Sequence, residues 1–150
     1  THKMGNTFHF KIKMYLPQQY NFLLGTSFMT LLTSIEALKK EKYDLAAALG
    51  TVFLTSINYW RNPIVCWREQ LDVSCVRLVL FCQIYSAFFS KNKKQFLLCA
   101  FFGVSSFGIS KYLYHSTNDM WKAAYFHAGL HLIGNIGNMY LIYDNDNYDD

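Results

Sequence analysis

Polar residues recur at helical spacing near the C-terminal end of the chain, at His127, His131, Asn135 and Asn138. Steps of four, four and three residues place these side chains on one face of a helix. Imidazoles at positions i and i+4 can present two nitrogens to one Zn²⁺, but a catalytic zinc needs three protein ligands and a water. A hydrogen-bonded stripe that packs one helix against another explains the same spacing. Spacing alone leaves both interpretations open.

Other polar residues could complete or support such a site. His115 and Asp72 are candidates for the third zinc ligand, and Asp72 could instead orient the bound water or a ligating histidine. Ser56 could donate a hydrogen bond to the water or to a substrate carbonyl. If successive helices run in opposite directions, one end of the bundle collects all of these residues: Ser56, Asn58, Asp72, His115, His127 and His131.

This order of residues resembles a superfamily of membrane hydrolases and receptors that contains the alkaline ceramidases and the progestin and adipoQ receptors. Ser56 in the second helix, Asp72 at the third and the His127-x-x-x-His131 pair in the last match its motifs in order and approximate spacing. The resemblance implies a seven-helix bundle, zinc held by three histidines, and cleavage of an amide or related bond in a lipid.

The resemblance also implies roles for individual residues. Zinc would lower the pKa of its bound water to about 7. His127 and His131 would be ligands with His115 as a possible third, Asp72 the proton acceptor or orienting group, and Ser56 the polar stabiliser. The sequence departs from the family pattern at Trp60, which stands where the family carries its first zinc-binding histidine. The matching motifs are short, and removal of two helices before the last would preserve its orientation.

The elements that must position these residues are long stretches without charge. No charged residue occurs within 14–35, 45–60, 78–90, 95–110 or 123–143. A soluble amphipathic helix would carry charges every three or four residues on its wet face. The pattern therefore predicts an all-α, polytopic transmembrane bundle with about five spanning helices, at 20–38, 43–60, 73–89, 96–114 and 123–143.

The organisation predicted is a single integral membrane domain over 1–150, with a short polar N-terminal segment, 1–19, and an acidic C-terminal tail, 144–150. No cleavable signal peptide is expected. The basic residues divide almost evenly between the two sides, so the positive-inside rule does not orient the protein. The four cysteines are interpreted as packed thiols.

Three classes of function remain open at this stage. The favoured one is a non-catalytic structural or accessory component of a larger membrane assembly, with the bilayer and other membrane proteins as partners and no cofactor. The alternative is a zinc-dependent intramembrane hydrolase of a lipid amide or ester. A receptor, channel or transporter would need a continuous polar path through the bundle. The lysine-rich loops, interrupted by helices, form no nucleic-acid groove, so no nucleic-acid partner is expected.

One geometric expectation follows from the shared depth of the polar residues. An imidazole left unpaired in hydrocarbon is costly. We therefore expect the His127 and His131 rings to point into the bundle, with at least one of them within direct or one-water hydrogen-bonding reach of Asp72 or Ser56. Trp60 should border the volume that a third zinc ligand would otherwise fill.

Overall fold

The described part of the chain is entirely helix and loop. The structure, a computed structural model, describes residues 15–63, 67–117 and 119–144. Within these ranges lie five helices and no strand: α1 (Pro17–Lys39), α2 (Tyr43–Trp60), α3 (Trp67–Ala87), α4 (Lys93–Ser116) and α5 (Met120–Ile142). The prediction of an all-α fold with five helices is confirmed.

Short connections make successive helices run in opposite directions. α1, α3 and α5 begin at what we call the first end of the bundle and finish at the second end. α5 packs along α4 and also contacts α1, which packs along α2. α3 lies against α2 and meets α4 only briefly. Hydrogen bonds join the loops at the second end, where the Asp144 carbonyl accepts from the Lys42 ammonium at 3.4 Å and the Asp144 carboxylate accepts from the Lys91 amide at 3.1 Å.

Two predicted boundaries need correction. α1 begins at Pro17, within the segment 1–19 that was expected to precede it, because proline is well tolerated in the first helical turn. α3 already includes Trp67, so Asp72 lies inside this helix and not ahead of it. Charged residues in the first turns of α3 are compatible with helix because Glu69 pairs with Lys111 of α4 at 3.0 Å. The predicted polar segment up to residue 14 and the tail from residue 145 lie outside the described residues.

Polar and apolar residues are distributed in the reverse of the usual globular pattern. Among the described residues, 13 polar or charged residues are buried against 12 apolar ones, and several of the latter are alanines. Meanwhile 28 large apolar residues are exposed, and they lie on all five helices. Soluble monomers rarely expose apolar patches of such extent. The interior is therefore held together largely by polar contacts and small residues.

Length and hydropathy single out two helices of the described chain as able to cross a membrane. These are α1, with a mean hydropathy of 1.2 over its most apolar window, and α4, with 1.5. The remaining described helices fall short of that composition.

The α4–α5 seam is built from small residues. The hydroxyl of Ser106 donates to the Phe126 carbonyl at 2.6 Å, and that of Ser110 donates to the Ala123 carbonyl at 2.7 Å. A Cβ added at Gly129 would lie 2.8 Å from the Ser106 Oγ, whereas one added at Gly134 would meet nothing within 4 Å. Glycine at position 129 thus permits the close approach of α4 and α5 at Ser106.

We predict opposite effects for two substitutions on this helix. Gly129→Ala should destabilise the bundle by about 1–3 kcal/mol, the typical cost of overpacking, because Ser106 must give up its bond to Phe126. Gly134→Ala should be neutral or stabilise by up to about 1 kcal/mol through helix propensity. Equilibrium unfolding in mixed micelles measures both values.

The double variant Gly129→Ala/Ser106→Ala provides the control. Removing the Ser106 Oγ leaves the new Cβ at ordinary contact distance, 3.9 Å from the Ser106 Cβ. The double variant should therefore be more stable than the sum of the two single changes predicts. Equal free energies of unfolding for Gly129→Ala and Gly134→Ala would contradict this description of the seam.

Candidate functional site

The predicted site residues form two separate polar clusters in the half of the bundle nearer the first end. The carboxyl cluster consists of Thr55 and Ser56 of α2 with Asp72 of α3. The imidazole cluster consists of Thr26 of α1 with His127 and His131 of α5. Each cluster joins neighbouring helices, so each also determines how those helices pack.

The carboxyl cluster concentrates two hydroxyl donors on one oxygen. Ser56 Oγ donates to Asp72 Oδ1 at 2.8 Å, and Thr55 Oγ1 lies 2.9 Å from the same atom. Thr55 Oγ1 is also 3.0 Å from the Val52 carbonyl, so its single proton is shared between two acceptors. Ser56 and Asp72 are both buried. The cluster ties α2 to α3 and offers one carboxyl oxygen, Oδ2, for further chemistry.

The contacts of Thr26 bear on which ring nitrogen of His131 carries the proton. Thr26 Oγ1 lies 2.8 Å from His131 Nδ1 and donates to the Leu23 carbonyl at 2.8 Å. If the Thr26 proton goes to the Leu23 carbonyl, which can only accept, the Thr26 oxygen accepts from Nδ1–H of His131. In the neutral ring, Nε2 then carries the lone pair. That nitrogen is the one left able to accept a hydrogen bond or bind a metal.

Aromatic rings surround His127. The Trp60 ring centroid lies 5.0 Å from that of His127, Phe107 lies at 5.8 Å, and His131 lies at 5.1 Å. Trp60 is almost completely buried, at 2% exposure, in a cluster with Leu23 and Ala124. Trp60 therefore packs directly against the first histidine of the pair. Within the described residues its indole N–H has no hydrogen-bond partner.

The polar stripe of α5 continues below the histidines. Asn135 Nδ2 donates to Thr30 Oγ1 at 3.2 Å and to the His131 carbonyl at 2.7 Å. The side-chain oxygens of Asn135 and Asn138 are buried and have no partner in the part of the chain described. Thr26 and Thr30, the α1 partners of this stripe, were missed in the sequence. Their spacing of four residues within an uncharged stretch was the available signal.

The predicted site residues do not all come together in one place. His115 is exposed in the last turn of α4, with its ring beside that of Tyr114 at 5.2 Å. Across residues 15–63, 67–117 and 119–144, no group of three His, Cys, Asp or Glu side chains could hold a metal ion. The hydrogen-bond partner of His131 is Thr26, and the partners of Asp72 are Thr55 and Ser56. The two clusters are thus organised separately.

Charged residues lie beyond the clusters, toward the first end. Asp119 caps α5, where it accepts from the Lys122 amide at 3.1 Å and pairs with the Lys122 ammonium at 3.1 Å. These two contacts, the amide bond foremost, hold the pKa of the Asp119 carboxyl below its usual value. The carboxylate therefore remains charged at neutral pH and favours the start of α5.

Comparison of the chain with known protein families, curated proteins and solved structures gives no match. The ceramidase-like resemblance therefore depends on the motif residues alone.

We predict that the carboxyl cluster contributes measurably to stability. Asp72→Leu leaves the Ser56 hydroxyl without its acceptor and Thr55 with only the Val52 carbonyl, and should lower the free energy of unfolding by about 1–3 kcal/mol. Asp72→Asn keeps a carbonyl oxygen in place and should cost less. Thermal unfolding in detergent micelles provides the comparison.

The matched control is Ser74→Ala, an exposed position on the same helix, which should change the stability little. In a double-mutant cycle, Ser56→Ala combined with Asp72→Leu should cost less than the sum of the single changes. Additive effects would show that Ser56 and Asp72 do not interact.

Proposed function

We propose that the chain is an integral membrane protein in which all five helices cross the bilayer, and that it serves as a non-catalytic accessory component of a larger membrane assembly. The observation that carries the membrane placement is the reversed distribution of residues. Large apolar side chains are exposed on every helix, while hydroxyl, amide and carboxyl groups make up about half of the buried residues. Lipid favours this arrangement because buried polar groups must find partners within the bundle.

The modest hydropathy of the other helices is consistent with this proposal. Polar residues of α2 and α5 that lower the average, such as Ser56 and Asn135, are buried between helices and make no contact with lipid. Average hydropathy does not distinguish an inward polar residue from an outward one. Both α2 and α5 also expose large apolar residues, with Leu54 at 61% exposure on α2 and Leu132 at 47% on α5.

Aromatic residues at the helix ends also favour a membrane setting. Trp67, Tyr112, Trp121 and Tyr125 are exposed near the first end, and Tyr43, Tyr140 and Tyr143 are exposed near the second. Tyrosine and tryptophan are enriched where a membrane meets water. Two such belts, one at each end, fit a bundle that spans a bilayer.

The accessory role is supported by the weak packing of α3. Its buried residues are Asp72, Gln83 and Ala87, so no large apolar side chain of this helix is buried. Leu78, Phe81 and Tyr85 are exposed at steps of three and four residues, and the exposed Phe88 follows in the turn after the helix. We call this stripe the α3 outer face. A seam of this spacing suits a neighbouring helix that packs side by side with α3.

The polar clusters suit a structural role in such a component. Asp72 is hydrogen-bonded to Ser56, and His131 is hydrogen-bonded to Thr26, so each pair joins two helices. The zinc-dependent lipid hydrolase stays the alternative proposal. It is favoured by one observation, the closeness of the His127 and His131 rings, whose centroids lie 5.1 Å apart. A third zinc ligand for this pair is not assembled among the described residues.

We predict that the α3 outer face contacts another membrane protein. A photoreactive phenylalanine analogue at Phe81, which is 71% exposed, should give one discrete protein adduct on illumination of native membranes. The same analogue at Phe101 of α4, which is 66% exposed, should give chiefly lipid adducts. Electrophoresis and mass spectrometry of the adducts provide the measurement.

The outcome can count against the accessory role in two ways. Adducts only with lipid from both positions would indicate that the α3 outer face is a lipid surface. An adduct only with a second copy of the chain would assign this face to self-association.

Metal content distinguishes the accessory role from the hydrolase. We expect substoichiometric zinc in protein purified without chelator, since two histidines alone make an incomplete site. One bound equivalent that is lost in both His127→Ala and His131→Ala would instead favour the hydrolase. His115→Ala then tests whether the exposed histidine of α4 contributes to binding.

A further inference from the structure

A groove between α1 and α2 combines an apolar wall with a cationic end. It has a volume of about 340 Å³ and is lined by Leu24, Phe28, Leu54, Ile57, Asn58 and Arg61. The α2 residues recur at steps of three, one and three, so they form a single outward stripe that ends at Arg61. The apolar part thus lies toward the middle of the bundle and the polar part toward the first end.

The apolar part of the groove is well defined by packing. The Phe28 ring meets that of Phe53 edge to face, with centroids 5.3 Å apart, and Phe53 is buried. Phe28 itself remains 49% exposed, and Leu54 on the opposite side is 61% exposed. This pair of large exposed side chains offers a surface for an extended hydrocarbon chain.

The polar part of the groove has unused hydrogen-bond donors. Neither the Arg61 guanidinium nor the Asn58 side-chain amide has a hydrogen-bond or ion-pair partner within the described residues. Arginine favours phosphate because its planar donors can bind two oxygens at once.

Arg68 makes this end of α2 more favourable for an anion. Its guanidinium donates to the Asn58 carbonyl at 3.3 Å and the Asn62 carbonyl at 3.1 Å. The exposed carbonyls at a helix C-terminus carry a partial negative charge that would repel an anion. Arg68 offsets that charge and adds a second cation beside Arg61.

We infer that this groove binds an anionic phospholipid of the bilayer, with the phosphate at Arg61 and Asn58 and one acyl chain along Leu24, Phe28, Leu54 and Ile57. Charge complementarity selects the headgroup, and the continuity of the apolar wall with Arg61 selects an amphiphile over a free anion. The inference rests on the membrane placement proposed above and is independent of the partner at the α3 outer face.

Native mass spectrometry of the full chain released from micelles tests the inference. Added phosphatidic acid should bind as a discrete first equivalent, at least tenfold more tightly than phosphatidylcholine with the same acyl chains. Arg61→Gln should weaken the binding of phosphatidic acid roughly tenfold or more, the loss expected for a charge-assisted hydrogen bond. Inorganic phosphate at the same concentration should not displace the lipid.

Matched variants separate a specific site from general attraction to the surface. Arg77→Gln removes an exposed arginine of α3 outside the groove and should leave the first equivalent unchanged. Leu54→Gln should weaken it, whereas Leu98→Gln, at a comparably exposed position on α4, should not.

Three results would overturn the inference. Equal weakening by Arg61→Gln and Arg77→Gln would indicate non-specific binding to basic residues. Equal affinity for the two lipids would exclude recognition of the headgroup. Displacement by inorganic phosphate would indicate a free-anion site. Failure of the protein to incorporate into micelles or lipid discs would instead refute the membrane placement. The crosslinking experiment at the α3 outer face tests the protein partner independently of the lipid.

Discussion

Polar side chains buried between helices are the constraint on which the rest of this structure depends. In the proposed membrane placement such groups would have no water to bond, so partners on neighbouring helices would be favoured strongly. Ser56 therefore meets Asp72, Thr26 meets His131, and Asn135 meets Thr30. These bonds specify which helices are neighbours, α2 with α3 and α1 with α5. Apolar residues cannot specify this, because lipid solvates them as well as a neighbouring helix does.

The uncharged stretches predicted the number and approximate place of the helices, since charges gather at the helix ends. The start of α3 was less predictable. Glu69 lies within the helix and pairs with Lys111, which is 42 residues away in sequence, so no local pattern indicates that partner. The polar stripe of α5 was predictable from its spacing. Its partners were not: hydroxyl groups on an uncharged helix can equally bond their own backbone, as Ser27 does to the Leu23 carbonyl. Only the packing of α1 against α5 selects Thr26 and Thr30.

Trp60 bears on whether the candidate site could bind zinc. Its ring packs against His127 and its side chain is buried with Leu23 of α1, so it joins three helices at the level of the histidine pair. A histidine at this position would add a third imidazole beside the pair, whereas tryptophan adds apolar area and one N–H. Trp60, which departs from the ceramidase-like pattern, thus contributes apolar packing at this point of the bundle and no zinc ligand.

We propose that all five helices meet lipid, although within the described residues only α1 and α4 have the hydropathy of membrane spans. Spin labels at Leu54 of α2, Phe81 of α3 and Leu132 of α5 test it directly in reconstituted bilayers. Oxygen, which concentrates in the bilayer, should broaden all three signals strongly, and a water-soluble nickel chelate should not. Strong broadening by the chelate at these positions would show that water, and not lipid, covers the outside of the bundle.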